Sequence, residues 1–315
     1  MRNTPLPDPA VPERGRLPRR NISGVLLLDK PEGLSSNAAL QRARNLLAAR
    51  KAGHAGTLDP LATGLMVLCF GEATKFSGTA LESVKGYRAW LRLGFTSTTG
   101  DGEGLISRVA QSFTGSREEL EAVLTRFRGV QTQRPPMHSA LKVEGRPLYD
   151  YARAGKEIPR PERTIEVIHL GFESWEGEVL VLNVLVSKGT YVRTLAEDIG
   201  QALGCGAYLA GLRRLSSGAF RLVDALTLDQ LEAMPVVERE VVLSPVDVLL
   251  GHLPELVLDE ARAAALCQGR WIDSPTGYPV VGGQQMRVYS SQKKFLGVGH
   301  WNSDGRFQPV RLMAE

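Results

Sequence analysis

The chain has 315 residues, 43% of them hydrophobic and 23% charged, with a net charge of +4, ordinary figures for a soluble globular protein with room for a large domain and a small one. No uninterrupted apolar run approaches the ~20 residues of a bilayer span, and the N-terminus lacks the apolar core of a signal peptide, so no membrane association and a cytoplasmic location are expected. Cys69, Cys205 and Cys267 are odd in number and far apart, and the five histidines are scattered, so the thiols read as reduced and mostly buried and no metal is expected.

Residues 1–20 hold five prolines and five arginines with almost nothing apolar, which predicts a disordered basic arm. Order is expected from about Gly24. Val25–Leu28 reads as a buried strand running into Asp29-Lys30-Pro31, where proline stops it. Ser35 or Ser36 then caps a helix that places Leu40, Ala43 and Leu47 on one face and Arg42, Arg44 and Arg50 on the other.

Gly53 to Met66 (Gly-His-Ala-Gly-Thr-Leu-Asp-Pro-Leu-Ala-Thr-Gly-Leu-Met) is poor material for helix or strand, because three glycines cost backbone entropy and Pro60 lacks an amide donor. The apolar run Leu65–Phe70 follows at once, so a polar loop with one carboxylate, Asp59, and one histidine, His54, is mounted on a buried element. Such loops concentrate function. The same residues also fit a plain Asp-Pro turn with a satisfied loop histidine.

Tyr87 to Leu93 alternates, with Tyr87, Ala89, Leu91 and Leu93 on one face and Arg88, Trp90 and Arg92 on the other. The Arg-Trp-Arg face suits base stacking or, more simply, a surface charge ladder. Tyr87 lies at the strand's start, where a side chain can project into a site. Ser116 and Glu119 spell a capping box for a helix with Leu120, Val123, Leu124 and Phe127 inward, ending at Gly129.

The segment from Gln131 to Arg163 reads as an inserted arm marked by Pro135-Pro136. Between Arg126 and Arg163 there are nine Lys or Arg against four acidic residues, which suits a polyanion or merely a solvated loop. Val179–Val186 is a buried strand. Thr190 to Thr194 reads as extended, placing Tyr191 and Arg193 on one face, before a helix through Leu195, Ile199 and Leu203 ends at Gly204-Cys205-Gly206. Arg193 is there a surface cation or the partner of a buried carboxylate.

Thr227 and Gln230 cap a short helix broken at Pro235. Past residue 250, Asp259 caps a helix through Cys267, and three strand-like runs around Arg287, Leu296 and Val310, with a turn at Ser303-Asp304-Gly305, read as a small separate binding module.

Taken together, several segments resemble bacterial tRNA pseudouridine-55 synthases of the TruB type. They are Gly24–Pro31, Gly53–Gly64, Gly71-Glu72-Ala73-Thr74-Lys75-Phe76, Pro135-Pro136 with Ser139-Ala140 and Lys142, Ser187–Thr194, Gly204–Ala207 and Leu212-Arg213-Arg214-Leu215. The resemblance covers all but the first ~20 residues, in the same order.

It implies an α+β fold with a mixed, largely antiparallel central sheet. The implied organisation is a catalytic domain over 21–250 with an RNA-binding insertion at about 131–163, and a PUA-like RNA-binding domain over 251–315. It implies isomerisation of the T-loop uridine of tRNA to pseudouridine without metal or organic cofactor, by a monomer that binds the T stem-loop and needs no obligate protein partner. Asp59 matches the family's catalytic aspartate, Arg193 the arginine that pairs with it, and Tyr87 the tyrosine that stacks on the target base.

By the same resemblance, Tyr191 and Leu212 match residues bordering the uridine. His54 matches a histidine that holds the T loop while the base is flipped, and Lys30 is given a supporting role at the substrate site. Asp101 matches an acidic loop position. Two departures stand out: Thr98 replaces an aspartate common in relatives, weakening a shared network through that loop, and His138 replaces a tyrosine in the arm. No second acid sits at an obvious paired position beside Asp59, unlike a two-carboxylate hydrolase. The rival readings are an enzyme working within a guide-RNA complex, and a non-catalytic RNA-binding protein that keeps the scaffold.

Overall fold

The computed structural model describes residues 18–109, 111–273 and 281–314. Most of the expected basic arm lies outside the described residues. Its end does not: Arg19 donates to the carbonyls of Arg44 (3.1 Å) and Ala49 (3.2 Å) and to Asn45 Oδ1 (2.7 Å), at the C-terminal end of the helix Ser36–Leu46. Order therefore begins before Gly24. The cause is a guanidinium fork meeting the electronegative end of a helix.

A ten-stranded mixed sheet organises the larger part. Its order is Leu226–Thr227, Gly24–Lys30, Thr63–Phe70, Ala207–Ser217, Lys85–Leu93, Val179–Val186, Arg163–Glu176 and Gly129–Gln133, with Ala52–His54 beside Thr63–Phe70 and Phe220–Arg221 beside Ala207–Ser217. Two pairings are parallel, Gly24–Lys30 with Leu226–Thr227 and Thr63–Phe70 with Ala207–Ser217, and the others are antiparallel.

Both faces of the Gly24–Lys30 and Thr63–Phe70 pair are buried, which is why these strands read as unbroken apolar runs. Leu26, Leu28, Met66, Leu68 and Phe70 pack with Ala39, Leu40 and Ala43 of Ser36–Leu46 and with Leu228 and Leu231. Val25, Val67 and Cys69 point the other way, onto Phe76, Leu249 and Val298. A third cluster joins Ala89, Leu91 and Leu93 to Leu120, Leu124, Leu195 and Ile199. Tyr87 and Leu212 border the first and third clusters alike, so they stand where two halves of the core meet.

Local chemistry sets the element ends. Ser35 caps Ser36–Leu46, and reciprocal capping boxes start Arg117–Thr125 (Ser116 with Glu119) and Leu228–Ala233 (Thr227 with Gln230). The second helix stops at Thr125, before the expected Gly129, because Gly129 (φ +90°) instead opens the strand that pairs with Arg163–Val167. Gln131–Gln133 therefore belong to the sheet rather than to the arm.

Thr190–Thr194 is not extended either. Tyr191 is the last extended residue, and Val192–Ala202 is helical, so Arg193 sits in a helix's first turn. Apolar positions at helical spacing begin at Val192 and override the strand-like look of Tyr-Val-Arg-Thr.

The C-terminal part is a five-stranded sheet, ordered Glu255–Leu258, Gln285–Ser290, Phe295–Trp301, Arg306–Leu312 and Ile272–Asp273, with the helix Glu260–Cys267 capped by Asp259. Its own core holds Leu256, Leu266, Val288, Trp301 and Phe307. It docks on the larger sheet through Phe295 against Phe76 (ring centroids 5.8 Å), Tyr289 donating to Asp247 (2.7 Å) and Lys75 donating to the Leu312 carbonyl (2.9 Å). Cys69 and Cys205 are buried as expected, but Cys267, at the helix end, is exposed.

Candidate active site

The residues 55–62 form a loop between the paired strands Ala52–His54 and Thr63–Phe70, and its irregular backbone is tied at many points. The Ser36 hydroxyl donates to the Leu58 carbonyl (2.8 Å) and accepts from the Leu58 amide (2.7 Å), fixing the residue before Asp59. Fully buried Lys30 donates to the carbonyls of Pro31 (2.9 Å), Leu34 (2.6 Å) and Pro60 (3.3 Å). Arg214, only 2% exposed, donates to Thr57 O (2.7 Å) and Leu65 O (3.2 Å), clamping both limbs of the loop. Glu103 accepts from the Leu61 amide (3.2 Å).

Gly64 lets this happen. With φ +99°, a Cβ placed there would lie 2.3 Å from the Arg214 carbonyl oxygen, so only glycine allows the close parallel pairing of Gly64 with Arg214. Arg213 and Arg214 point to opposite faces, as neighbours on a strand must. Arg213 makes a two-point pair with Asp29 (3.2 and 2.6 Å), while Arg214 turns inward beneath the Tyr87 ring at 5.6 Å.

Asp59 emerges from this clamp into a cleft of about 360 Å³ also lined by Tyr87, Tyr191, Arg193, Leu212 and Arg214. That volume suits a small ligand or a single nucleotide. Arg193, 6% exposed, holds Asp59 Oδ2 through Nη2 (3.2 Å) and Asp101 Oδ2 through Nη1 (3.1 Å), and donates to Thr99 O (3.3 Å) and His138 O (2.5 Å). Burial raises the Asp59 carboxyl above its ordinary range and Asp101 adds to this, while Arg193 and Lys30 pull it down. The side chain of Asp59 remains 44% exposed toward the cleft, so it is the approachable member of the network.

A second acid is therefore present after all. Asp101 shares Arg193, but its side chain is only 4% exposed, and its Oδ1 accepts from Thr99 Oγ1 (2.6 Å) and from the Glu103 amide (3.1 Å). It is held against the arginine, and among the described residues that line the cleft Asp59 is the one carboxylate. The loop does join the network despite Thr98, because Asp101 alone supplies the charge.

Of the site residues expected from the sequence, five converge on the cleft: Asp59, Tyr87, Tyr191, Arg193 and Leu212. Burial pushes the Tyr191 phenol up. Lys30 does not reach the cleft. It lies beneath the loop with its amine held by the carbonyls of Pro31, Leu34 and Pro60, outside the cleft lining, and burial lowers it to about 8. His54 sits half-buried on the strand leading into the loop, outside the cleft lining, and burial lowers its imidazole.

Ser36, Glu103 and the clamp role of Arg214 were not foreseen. The sequence signal for Arg214 is the Arg-Arg pair on a strand, which forces one cation inward.

The arm is bound to this site rather than loosely hung. Its short hairpin Lys142–Val143/Arg146–Pro147 and helix Leu148–Arg153 follow a segment whose His138 carbonyl is on Arg193, and Ser139, Ala140 and Leu141 line the cleft. Lys142, Arg146, Arg153 and Lys156 are exposed, with Arg146 stacked on Tyr151 and Arg153 on Tyr149. The Arg88-Trp90-Arg92 face is a charge ladder. Arg88 pairs with Glu173 and covers Trp90, and Arg92 pairs with Glu178 (2.8 Å).

Among the described residues no group of His, Cys, Asp and Glu could hold a metal ion, and no helix is long and apolar enough to cross a membrane.

The mixed sheet, the five-stranded sheet docked on it and the approachable aspartate in a nucleotide-sized cleft are, by the matches that follow, those of a pseudouridylate synthase. The chain belongs to the TruB family of these isomerases. Residues 44–192 match the N-terminal domain of TruB family pseudouridylate synthase, 193–251 the tRNA pseudouridylate synthase B C-terminal domain, and 254–313 the C-terminal domain of pseudouridine synthase II TruB.

It is 52% identical over 302 residues to tRNA pseudouridine synthase B of Nitrosospira multiformis, covering 94% of this chain and 96% of that one. It is 51% identical over 300 residues to the protein of the same name from an Azoarcus species, covering 95% and 97%. A chain in the crystal structure of a Cbf5-Nop10-Gar1 complex shares the fold, with a TM-score of 0.67 at 24% identity over 92% of this chain and 84% of that one.

Proposed function

We propose that this isomerase converts the T-loop uridine at position 55 of tRNA to pseudouridine, with Asp59 as nucleophile on a flipped-out base. The observation that carries the reading is the Asp59–Arg193 pair in the cleft beside Tyr87, together with relatives at about half identity over nearly the whole chain.

In the reaction Asp59 forms a transient bond to the nucleoside as the C1′–N1 bond breaks, uracil turns, a C5–C1′ bond forms as the carboxylate is released, the C5 proton leaves and N1 gains one. Arg193 pulls the Asp59 carboxyl back toward its ionised form against desolvation and occupies Oδ2, so the carboxylate presents its other oxygen to the substrate. The Tyr87 ring, backed by Arg214, stacks on the uracil and is the candidate carrier of the C5 proton. Tyr191 and Leu212 close the sides of the base, which offsets part of the unstacking cost of flipping. His54, on the strand that leads into the Asp59 loop, holds the T loop.

Residues 21–250 act as the catalytic domain, with the exposed cations of the arm between the strands Gly129–Gln133 and Arg163–Glu176 on the RNA backbone, and 251–315 as a PUA-like RNA-binding module. The enzyme works in the cytoplasm as a monomer on tRNA itself, without a protein partner or a guide RNA. Incubating purified protein with an unmodified T stem-loop, then mapping pseudouridine by carbodiimide adducts and primer extension, tests this. One adduct at position 55 supports it. No adduct with the bare stem-loop or full tRNA would remove it, and adducts only in the presence of a guide RNA would favour the guided reading.

A further inference from the structure

The arm and the catalytic arginine meet at one side chain that the reaction scheme leaves unused. Gln133 ends the strand Gly129–Gln133, pairs with Arg163 in the sheet and is only 6% exposed. Its Nε2 donates to the Tyr191 carbonyl (3.0 Å), and its Oε1 accepts from the Tyr191 amide (2.8 Å). The side-chain amide thus pairs with a backbone peptide as a neighbouring strand would.

Tyr191 is the residue just before the helix Val192–Ala202. It brings no side-chain cap of its own, and its carbonyl accepts the helical bond from Leu195 (3.1 Å). Fixing Tyr191 fixes where that helix starts and therefore where Arg193 points. Five residues after Gln133, across Pro135-Pro136, the His138 carbonyl accepts from Arg193 Nη2 at 2.5 Å. Two prolines restrict the chain between these anchor points, so a shift of the arm's base is passed on rather than absorbed.

We propose that Gln133 is a positioning residue for the isomerisation, holding the Tyr191–Arg193 segment in register with the base of the arm and so setting the arginine that orients Asp59. The inference rests on the reading of Asp59 and Arg193 as the reacting pair. Glutamine suits the position because its neutral tip offers a donor and an acceptor whatever the pH. Leucine fills the space and offers neither, while an ionised glutamate accepts from the Tyr191 amide but repels the Tyr191 carbonyl.

The test compares wild type, Gln133→Leu and Gln133→Glu, measuring the single-turnover rate of pseudouridine formation, RNA affinity and thermal stability across pH. A slightly misplaced arginine lowers the rate in both variants by roughly 10- to 100-fold with unchanged RNA affinity. As pH falls, protonation gives the introduced carboxyl of Gln133→Glu a donor again, so the rate of that variant relative to wild type at the same pH climbs, whereas that of the leucine variant stays flat.

A purely structural glutamine would lower stability without that pH signature. Wild-type rates in both variants, a loss of rate matched by a loss of RNA affinity, or a flat pH ratio for Gln133→Glu would each overturn the proposal. If the leucine variant fails to fold, the pH ratio of the glutamate variant decides alone. Absence of product from wild type would instead sink the underlying reading.

Discussion

Replacing Arg193 by lysine keeps the charge and removes the fork. In the structure Nη1 serves Asp101 (3.1 Å) and Thr99 O (3.3 Å), while Nη2 serves Asp59 (3.2 Å) and His138 O (2.5 Å). One ammonium is a point donor and cannot stand between two carboxylates approached from different nitrogens of a planar group. The variant loses at least one charge-assisted bond, worth about 1.5–3 kcal/mol, and one neutral bond, worth about 0.5–1.5 kcal/mol.

If the loss falls on Asp59, about 2–4.5 kcal/mol appears in the barrier, a drop in rate of roughly 30- to 2000-fold. If lysine keeps Asp59 and abandons Asp101, the loss appears as lower stability, because a buried carboxylate is left unpaired. Single-turnover product formation, RNA affinity and urea unfolding separate the two. A variant with wild-type rate and wild-type stability would refute the claim that the shared arginine organises this site.

The remaining predictions concern the fold and the binding module. Asp59 has a raised pKa in the folded state, so the native protein holds its proton more tightly than the unfolded chain and the carboxylate costs stability above its titration. Asp59→Asn should therefore unfold no more easily than wild type at neutral pH. Its advantage should shrink as pH falls through the folded pKa, and an advantage that instead grows with acid would show the shift has the opposite sign. Gly64→Ala should destabilise by about 2–4 kcal/mol in urea unfolding, from a strained φ and a Cβ 2.3 Å from the Arg214 carbonyl oxygen; a loss within error of zero would contradict the close approach. Removing residues 251–315 should weaken tRNA binding more than chemistry at saturating tRNA. It should also lower the melting temperature by baring Phe76 and Val67; equal affinity for tRNA would contradict the binding-module assignment.

Much of the fold is legible where local chemistry decides it. The capping boxes at Ser116 and Thr227, the alternation from Tyr87 to Leu93 and the doubly buried run from Leu65 all follow from neighbours in sequence. The site is less legible, because its supports are long-range. Nothing near Lys30 says that its amine will meet the Pro60 carbonyl, or near Ser36 that its hydroxyl will grip Leu58 rather than cap the helix that Ser35 caps.

Asp101 matches an acidic loop position by resemblance, but its place beside Asp59 is not legible in the sequence, for the same reason. Its burial and its share of Arg193 depend on a loop folding back onto the start of another helix. The Tyr-Val-Arg-Thr stretch reads as extended because strand propensity is local, whereas its helix is fixed by packing of Leu195 and Ile199 against the sheet.

Whether Asp59 carries out uridine isomerisation is decided by tritium release from tRNA labelled at uridine C5, mixed with purified protein alone. Forming the C5–C1′ bond expels that hydrogen, so wild type should release one equivalent of tritium per tRNA and Asp59→Asn none, while its tRNA binding persists. Tight binding without release by wild type, or substantial release by Asp59→Asn, would contradict that role.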